Sequence, residues 1–127
     1  DAVFLLGVRR DIPELLSAVD LAVVPSILKE GLPLVLVEGS AMSLPLVATN
    51  IGGSPEIVKH GLNGFIVEPK DTKALTEKII YLIEHPGECR EMGRHSRGIW
   101  QAKFKKVDMM GKIGNIYSGA LNSFVRK

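Results

Sequence analysis

Pro25–Glu38, PSILKEGLPLVLVE, is where the periodicity of this chain changes from strand to helix. LAVV (21–24) before it is a continuous apolar run of strand length, closed by Pro25, which cannot donate to a ladder. Residues 26–32 form a loop, and Pro33 occupies a favoured first helical position. The spacing predicts a helix over 33–43 that buries Leu34, Val37 and Ala41, with Val35 and Leu36 widening the apolar face and Glu38 exposed. A buried strand, a loop and a returning helix in that order are half of a parallel crossover unit.

The same alternation extends in both directions. Toward the start, AVFLL (2–6) closed by Gly7 is a second short apolar run, predicted as a strand covered on both faces. Asp11 is placed to cap a helix with Pro13 in its first turn, Glu14 three residues on, and Ile12, Leu15, Leu16 and Val19 facing inward. Toward the end, LPLVAT (44–49) is predicted as a strand. Gly52-Gly53 then allows a turn into a short helix at Ser54-Pro55-Glu56, and GLNG (61–64) is a turn into the strand GFIVEP (64–69). Asp71 caps a helix carrying Ala74, Leu75, Lys78, Ile79 and Leu82.

Beyond Pro86 the pattern is helical, about 87–102 and then 106–124, the second with Met109, Ile113, Ile116, Tyr117, Ala120 and Phe124 on one face. Gly111, Gly114 and Gly119 weaken it by about 1 kcal/mol each, so that helix needs a packing partner or it frays. The fold class is therefore α/β, a parallel, Rossmann-like sheet with helices on both faces, and ligands bind such sheets beyond the carboxyl ends of the strands.

Composition narrows the function classes. The 127 residues are 46% hydrophobic and 24% charged, enough for one domain with a core. A net charge of +2, with basic residues clustered only at Arg9-Arg10 and Lys103-Lys105-Lys106, argues against nucleic acid as a partner. Both patches leave contact with phosphate or a membrane surface open, and Trp100 and Phe104 among the lysines are read as core anchors rather than as a membrane foot. Cys89 is the only cysteine, which excludes an internal disulfide and fits a reduced, cytoplasmic protein. His60, His85 and His95 are too scattered for a metal motif, and no metal or cofactor is expected. Glu38 interrupts the longest apolar run well short of the roughly 18 residues that span a bilayer. Asp1 leads straight into a strand-like run, and a piece of a longer protein is expected.

The chemistry converges on the opening segment. A helix N-terminus offers unpaired N–H groups and a partial positive charge, so the backbone around Gly31, Leu32, Pro33 and Leu34 can hold a diphosphate without a cationic side chain. Pro33 itself contributes no N–H, and Gly31 lets an anion approach closely. A carboxylate at Glu38 can accept from both hydroxyls of a ribose. Glu30 then faces a sugar beyond the phosphates. From spacing alone, a solvated pair of surface glutamates is the commoner explanation.

PSxxxEGLPLVLVE, PLVATNIGGSPEIV and GLNGFIVEP together resemble the carboxyl-terminal half of the family 4 retaining glycosyltransferases, and the likeness covers nearly the whole chain. That resemblance implies part of the donor domain of a GT-B fold, here residues 1–127 with closing helices at about 87–124. It implies transfer of a sugar from a nucleoside diphosphate to a glycan, lipid or small-molecule acceptor. In the family's E-x7-E signature Glu30 is similar to the carboxylate near the transferred sugar and Glu38 to the ribose ligand; Gly31 to Leu34 correspond to the diphosphate cradle, and Val8 and Arg9 to the loop flanking the base.

Pro33 stands where many members have glycine, Gly39-Ser40 where Ala-Met is usual, and Ser43-Leu44 where Gly-Lys is usual. The family's diphosphate-binding Arg and Lys and its acceptor domain fall outside this chain, which implies an inactive fragment of an active parent. A non-catalytic nucleotide-binding or interaction module of the same fold is the rival reading. The family's sheet would also separate the first two strands here by two others, which predicts open edges and self-association.

Overall fold

A computed structural model describes residues 3–125. The elements run α1 (Ile12–Ser17), β1 (Ala22–Val24), α2 (Leu34–Ala41), β2 (Leu46–Thr49), α3 (Ser54–Ile57), β3 (Gly64–Val67), α4 (Thr72–Glu84), α5 (Pro86–Lys103) and α6 (Lys106–Val125). The three strands pair in the order β1-β2-β3, all parallel, with Ala22 opposite Leu46 and Leu46 opposite Gly64.

Successive side chains of a strand point to opposite faces, and β2 shows the consequence. Leu46 and Ala48 enter one core with Leu16, Ala22, Leu36, Leu44, Ile57 and Val58, beneath α1, α2 and α3. Val47 enters a second core on the other face with Phe65, Leu82 and Met92, beneath α4 and α5. All three β2 residues have no exposed surface, as a central parallel strand requires. The expected two-faced α/β layering is present.

Two devices lock the β3 side. Asn63 is fully buried; its Nδ2 donates to the Ile57 carbonyl (3.1 Å) and its Oδ1 accepts from the Lys59 N–H (2.6 Å), while Ser96 Oγ donates to the Asn63 carbonyl (3.2 Å). Gly64 follows because a Cβ there would stand 1.8 Å from the Leu46 carbonyl oxygen. Asp71 caps α4 as expected, accepting from the Ala74 N–H at 2.8 Å.

Several expectations are corrected. The first apolar run forms no strand: residues 3–6 are irregular, with Val3 90%, Phe4 77% and Leu5 95% exposed. A parallel strand is held by its neighbours, and among the described residues none pairs with this one. Asp11 does not cap α1 through its side chain; its carboxylate is held by Arg9 instead. Helix α2 is rotated from the predicted face and buries Leu36, Gly39 and Ser40, leaving Leu34 67% exposed and Val37 and Ala41 half-buried. Small residues face the sheet because the helix approaches it closely: a Cβ on Gly39 would lie 3.1 Å from Leu46 and 3.3 Å from Ala22.

Trp100 and Phe104 are half-buried; Phe104 packs against the first core, and the Arg97 guanidinium lies 4.5 Å over the Trp100 ring. Helix α6 forms despite its glycines, yet Met109, Ile113, Ile116 and Tyr117 on its apolar side are exposed. The side chains of Ala120 and Phe124, read as part of that face, lie outside those described.

Candidate functional site

The three parallel strands end on the same edge, at Val24, Thr49 and Val67. Over that edge lies the loop between β1 and α2, and short-range chemistry fixes its path. Thr49, 3% exposed at the end of β2, donates through Oγ1 to the Ser26 carbonyl at 2.7 Å. Ser26 Oγ in turn donates to Glu30 Oε1 at 2.6 Å. Farther along, Asn50 Nδ2 donates to Glu68 Oε1 (3.0 Å), tying the ends of β2 and β3 together.

Gly52 and Gly53 form the bed on which this loop rests. A Cβ on Gly52, whose φ is +54°, would stand 1.7 Å from the Glu30 carbonyl oxygen, and one on Gly53 would stand 2.2 Å from that of Gly31. The sequence marks the pair only as a turn. Their close approach to a loop more than twenty residues earlier leaves no local signal beyond the glycines themselves.

Helix α2 opens without a side-chain cap, with Pro33 extended at the N-cap. The N–H groups of Leu36 and Val37 turn back to the Pro33 carbonyl (3.1 and 3.4 Å). Those of Gly31, Leu32, Leu34 and Val35 donate to no acceptor among the described residues. Unpaired donors thus gather at the positive end of an eight-residue helix. A Cβ added to Gly31 would meet nothing within 4 Å, so that side of its backbone is open.

Glu38 follows Leu34 by one turn, about 6 Å along the axis, and is exposed. Beside it an open hollow of about 140 Å³ is lined by Ile12, Pro13, Leu16, Ala41 and Met42. A carboxylate thus borders an apolar surface made by α1 and the end of α2. The spacing of Ile12 and Leu16 marks them as core residues, and the hollow leaves no signal in it because it depends on the angle between two helices.

Glu30, Gly31, Leu32, Pro33, Leu34 and Glu38 are brought together on one loop–helix segment. Val8 and Arg9 are not joined to it: Val8 is 99% exposed in the irregular segment, and Arg9 is engaged by Asp11. The Arg9 guanidinium, with help from backbone N–H groups, holds the Asp11 carboxyl below the usual carboxylate range. His60, His85 and His95 place Nδ1 against the carbonyls of Ile66, Tyr81 and Leu62. Among the described residues no three His, Cys, Asp or Glu side chains gather in a metal-binding group, and no helix is long and apolar enough to cross a membrane.

Comparison with known proteins gives a consistent pattern. The family model described as Glycosyl transferases group 1 matches residues 1–98. The chain is 32% identical over 121 residues to N-acetyl-alpha-D-glucosaminyl L-malate synthase of Bacillus anthracis, covering 95% of this chain and 32% of that protein. It is 33% identical over 113 residues to an Escherichia coli UDP-Gal:alpha-D-GlcNAc-diphosphoundecaprenol alpha-1,3-galactosyltransferase, covering 89% and 29%. Among solved structures it superposes on Anabaena Alr3699/HepE in complex with UDP with a TM-score of 0.87 at 32% identity, covering 90% of this chain and 31% of that one. The same Anabaena protein is also solved with UDP-glucose. The chain spans about a third of the length of the curated relatives it matches.

Proposed function

The chain belongs to the Glycosyl transferases group 1 family, and we propose that it supplies the donor-binding wall of an enzyme that transfers a sugar from a nucleoside diphosphate to an acceptor with retained anomeric configuration. The observation that carries this reading is the group of unpaired N–H donors at the start of α2, one helical turn from an exposed carboxylate. In this reading the amides of Gly31, Leu32 and Leu34 hold the diphosphate, Pro33 sets the helix start, and Glu38 accepts from the ribose hydroxyls. The base lies beyond the ribose, along the apolar hollow beside Glu38. Glu30 accepts from a hydroxyl of the transferred sugar.

The chemistry follows from where charge develops. As the bond from the anomeric carbon to the leaving oxygen breaks, the diphosphate takes the electron pair, and donors already aimed at it stabilise that charge more than the ground state. The acceptor hydroxyl forms the new bond from the same face and passes its proton to the departing diphosphate oxygen. No metal is assigned a part. The UDP and UDP-glucose held by the Anabaena protein make uracil the first base to test. The remaining wall, with the acceptor site and the cations facing the diphosphate, is assigned to the rest of the parent protein, placed in the cytoplasm. Relatives named for diphosphoundecaprenol acceptors support a position at the inner face of a membrane.

The test is the stereochemistry and site dependence of transfer by the full-length protein. Proton NMR of the product is expected to show the donor's anomeric configuration, and Glu30→Ala and Glu38→Ala to reduce turnover and donor affinity respectively. Inversion would overturn the retaining mechanism, and binding without turnover would favour the non-catalytic module.

A further inference from the structure

Glu30 lies in an exposed loop, and a free glutamate there would sample many rotamers, each competing with the one that meets a ligand. The hydrogen bonds around it remove that freedom in two steps. Thr49, buried at the end of the central strand, fixes the Ser26 backbone through its carbonyl (2.7 Å). The Ser26 hydroxyl then reaches across four residues to Glu30 Oε1 (2.6 Å). Gly52 meanwhile leaves room for the Glu30 carbonyl, so the backbone of Glu30 can lie close over the β2–α3 turn while Ser26 holds its side chain.

We infer that Ser26 is the positioning residue for Glu30, with Thr49 as its anchor to the sheet, and that together they set the sugar-facing carboxylate before any donor binds. This rests on the donor-site reading and deepens it. One carboxylate oxygen is occupied by the Ser26 hydroxyl; Oε2 is left for a sugar hydroxyl. The hydroxyl donates to Glu30 and leaves its own lone pairs unused, so Thr in place of Ser keeps the function and Ala does not. The sheet edge is the rigid frame: without the Thr49 hydroxyl the Ser26 carbonyl is no longer pinned, and the Oγ position drifts although Ser26 is intact.

The direct test needs no ligand. Side-chain three-bond couplings of Glu30 in the full chain are expected to show one dominant χ1 rotamer in the parent sequence and in Ser26→Thr. Ser26→Ala is expected to show rotamer averaging, and Thr49→Val partial averaging. Unchanged Glu30 couplings in Ser26→Ala overturn the inference.

A second arm uses UDP and UDP-glucose as probes. Ser26→Ala is expected to weaken UDP-glucose about threefold to tenfold, the range of one hydrogen bond, and to leave UDP unchanged. In a Glu30→Ala background the same substitution is expected to do nothing further. Equal weakening of both probes would mean that Ser26 supports the loop rather than the carboxylate, and would overturn the positioning role. If Glu30→Ala itself leaves UDP-glucose binding unaltered, the donor reading of Glu30 fails, while the coupling measurement still decides whether Ser26 orients it.

Discussion

Gly52 lies directly beneath Glu30: a Cβ on Gly52 would stand 1.7 Å from the Glu30 carbonyl oxygen, and its φ of +54° disfavours any other residue. The loop between β1 and α2 therefore keeps its path only while position 52 has no side chain. Gly52→Ala is expected to cost about 2 kcal/mol or more in urea unfolding, from overpacking and backbone strain together. Gly31→Ala is the informative contrast, because nothing lies within 4 Å of the Cβ it would add. It should unfold within about 0.5 kcal/mol of the parent chain while weakening nucleotide binding.

Asn63 should behave as a structural residue despite being an amide in a turn. It is fully buried and both ends of its side chain are paired, with the Ile57 carbonyl and the Lys59 N–H. Asn63→Ala strands a buried donor and acceptor and is expected to cost about 2–4 kcal/mol, read from the denaturant midpoint at constant slope. Nucleotide affinity of the folded fraction should be unaltered.

The Arg9–Asp11 pair makes a pH prediction. With its folded value held below the ordinary 3.8, Asp11 favours the folded state above that pH, and the contribution disappears as pH falls through the folded value. Carboxyl carbon titration of Asp11 should give a midpoint below 3.8, and Arg9→Ala should move that midpoint upward. A midpoint that ignores Arg9 would mean the guanidinium is free to serve a ligand.

Cys89 is half-buried, and its Sγ approaches the Asp20 carbonyl at 3.7 Å. Burial, and next the nearby Asp20 carboxylate, push its thiol up. Since the thiolate is the nucleophile, alkylation by iodoacetamide at pH 8 is expected to be severalfold slower than for a free cysteine, and to reach the free rate in urea.

How far the fold was legible follows from what is local. The runs at 21–24, 44–49 and 64–69 became β1, β2 and β3 because each is a short apolar stretch bounded by Pro, Gly or a polar turn. The run at 2–6 has the same composition, but a strand also needs a neighbour, which composition does not record. Residues 34–37 are apolar in every direction, so the inward face of α2 was open to misreading; the contact made by Gly39 and Ser40 decided it. Glu30, Gly31 and Glu38 stand out in the sequence as a candidate site because a loop–helix start has its own chemistry. Ser26, Thr49 and Gly52 were not, since their roles depend on contacts between separate crossovers.

The outer side of β1 carries no partner strand among the described residues, which is one of the edges expected from the sequence; the other, on the run at 2–6, does not arise because that run forms no strand. Self-association of the chain is the corresponding expectation, to be read by sedimentation velocity over a range of concentrations. A monomer at every concentration would remove it.

The central claim is that the start of α2 and Glu38 bind the nucleoside diphosphate of a sugar donor. Its most direct test is a titration of the full-length protein with UDP, GDP and ADP, following the amide shifts of residues 30–38. One nucleotide is expected to shift the amides of Gly31, Leu32, Leu34 and Val35 together, with Glu38→Ala lowering its affinity about tenfold or more, as loss of charge-assisted hydrogen bonds implies. No response of this segment to any of the three, with Glu38→Ala indistinguishable from the parent sequence, would contradict it.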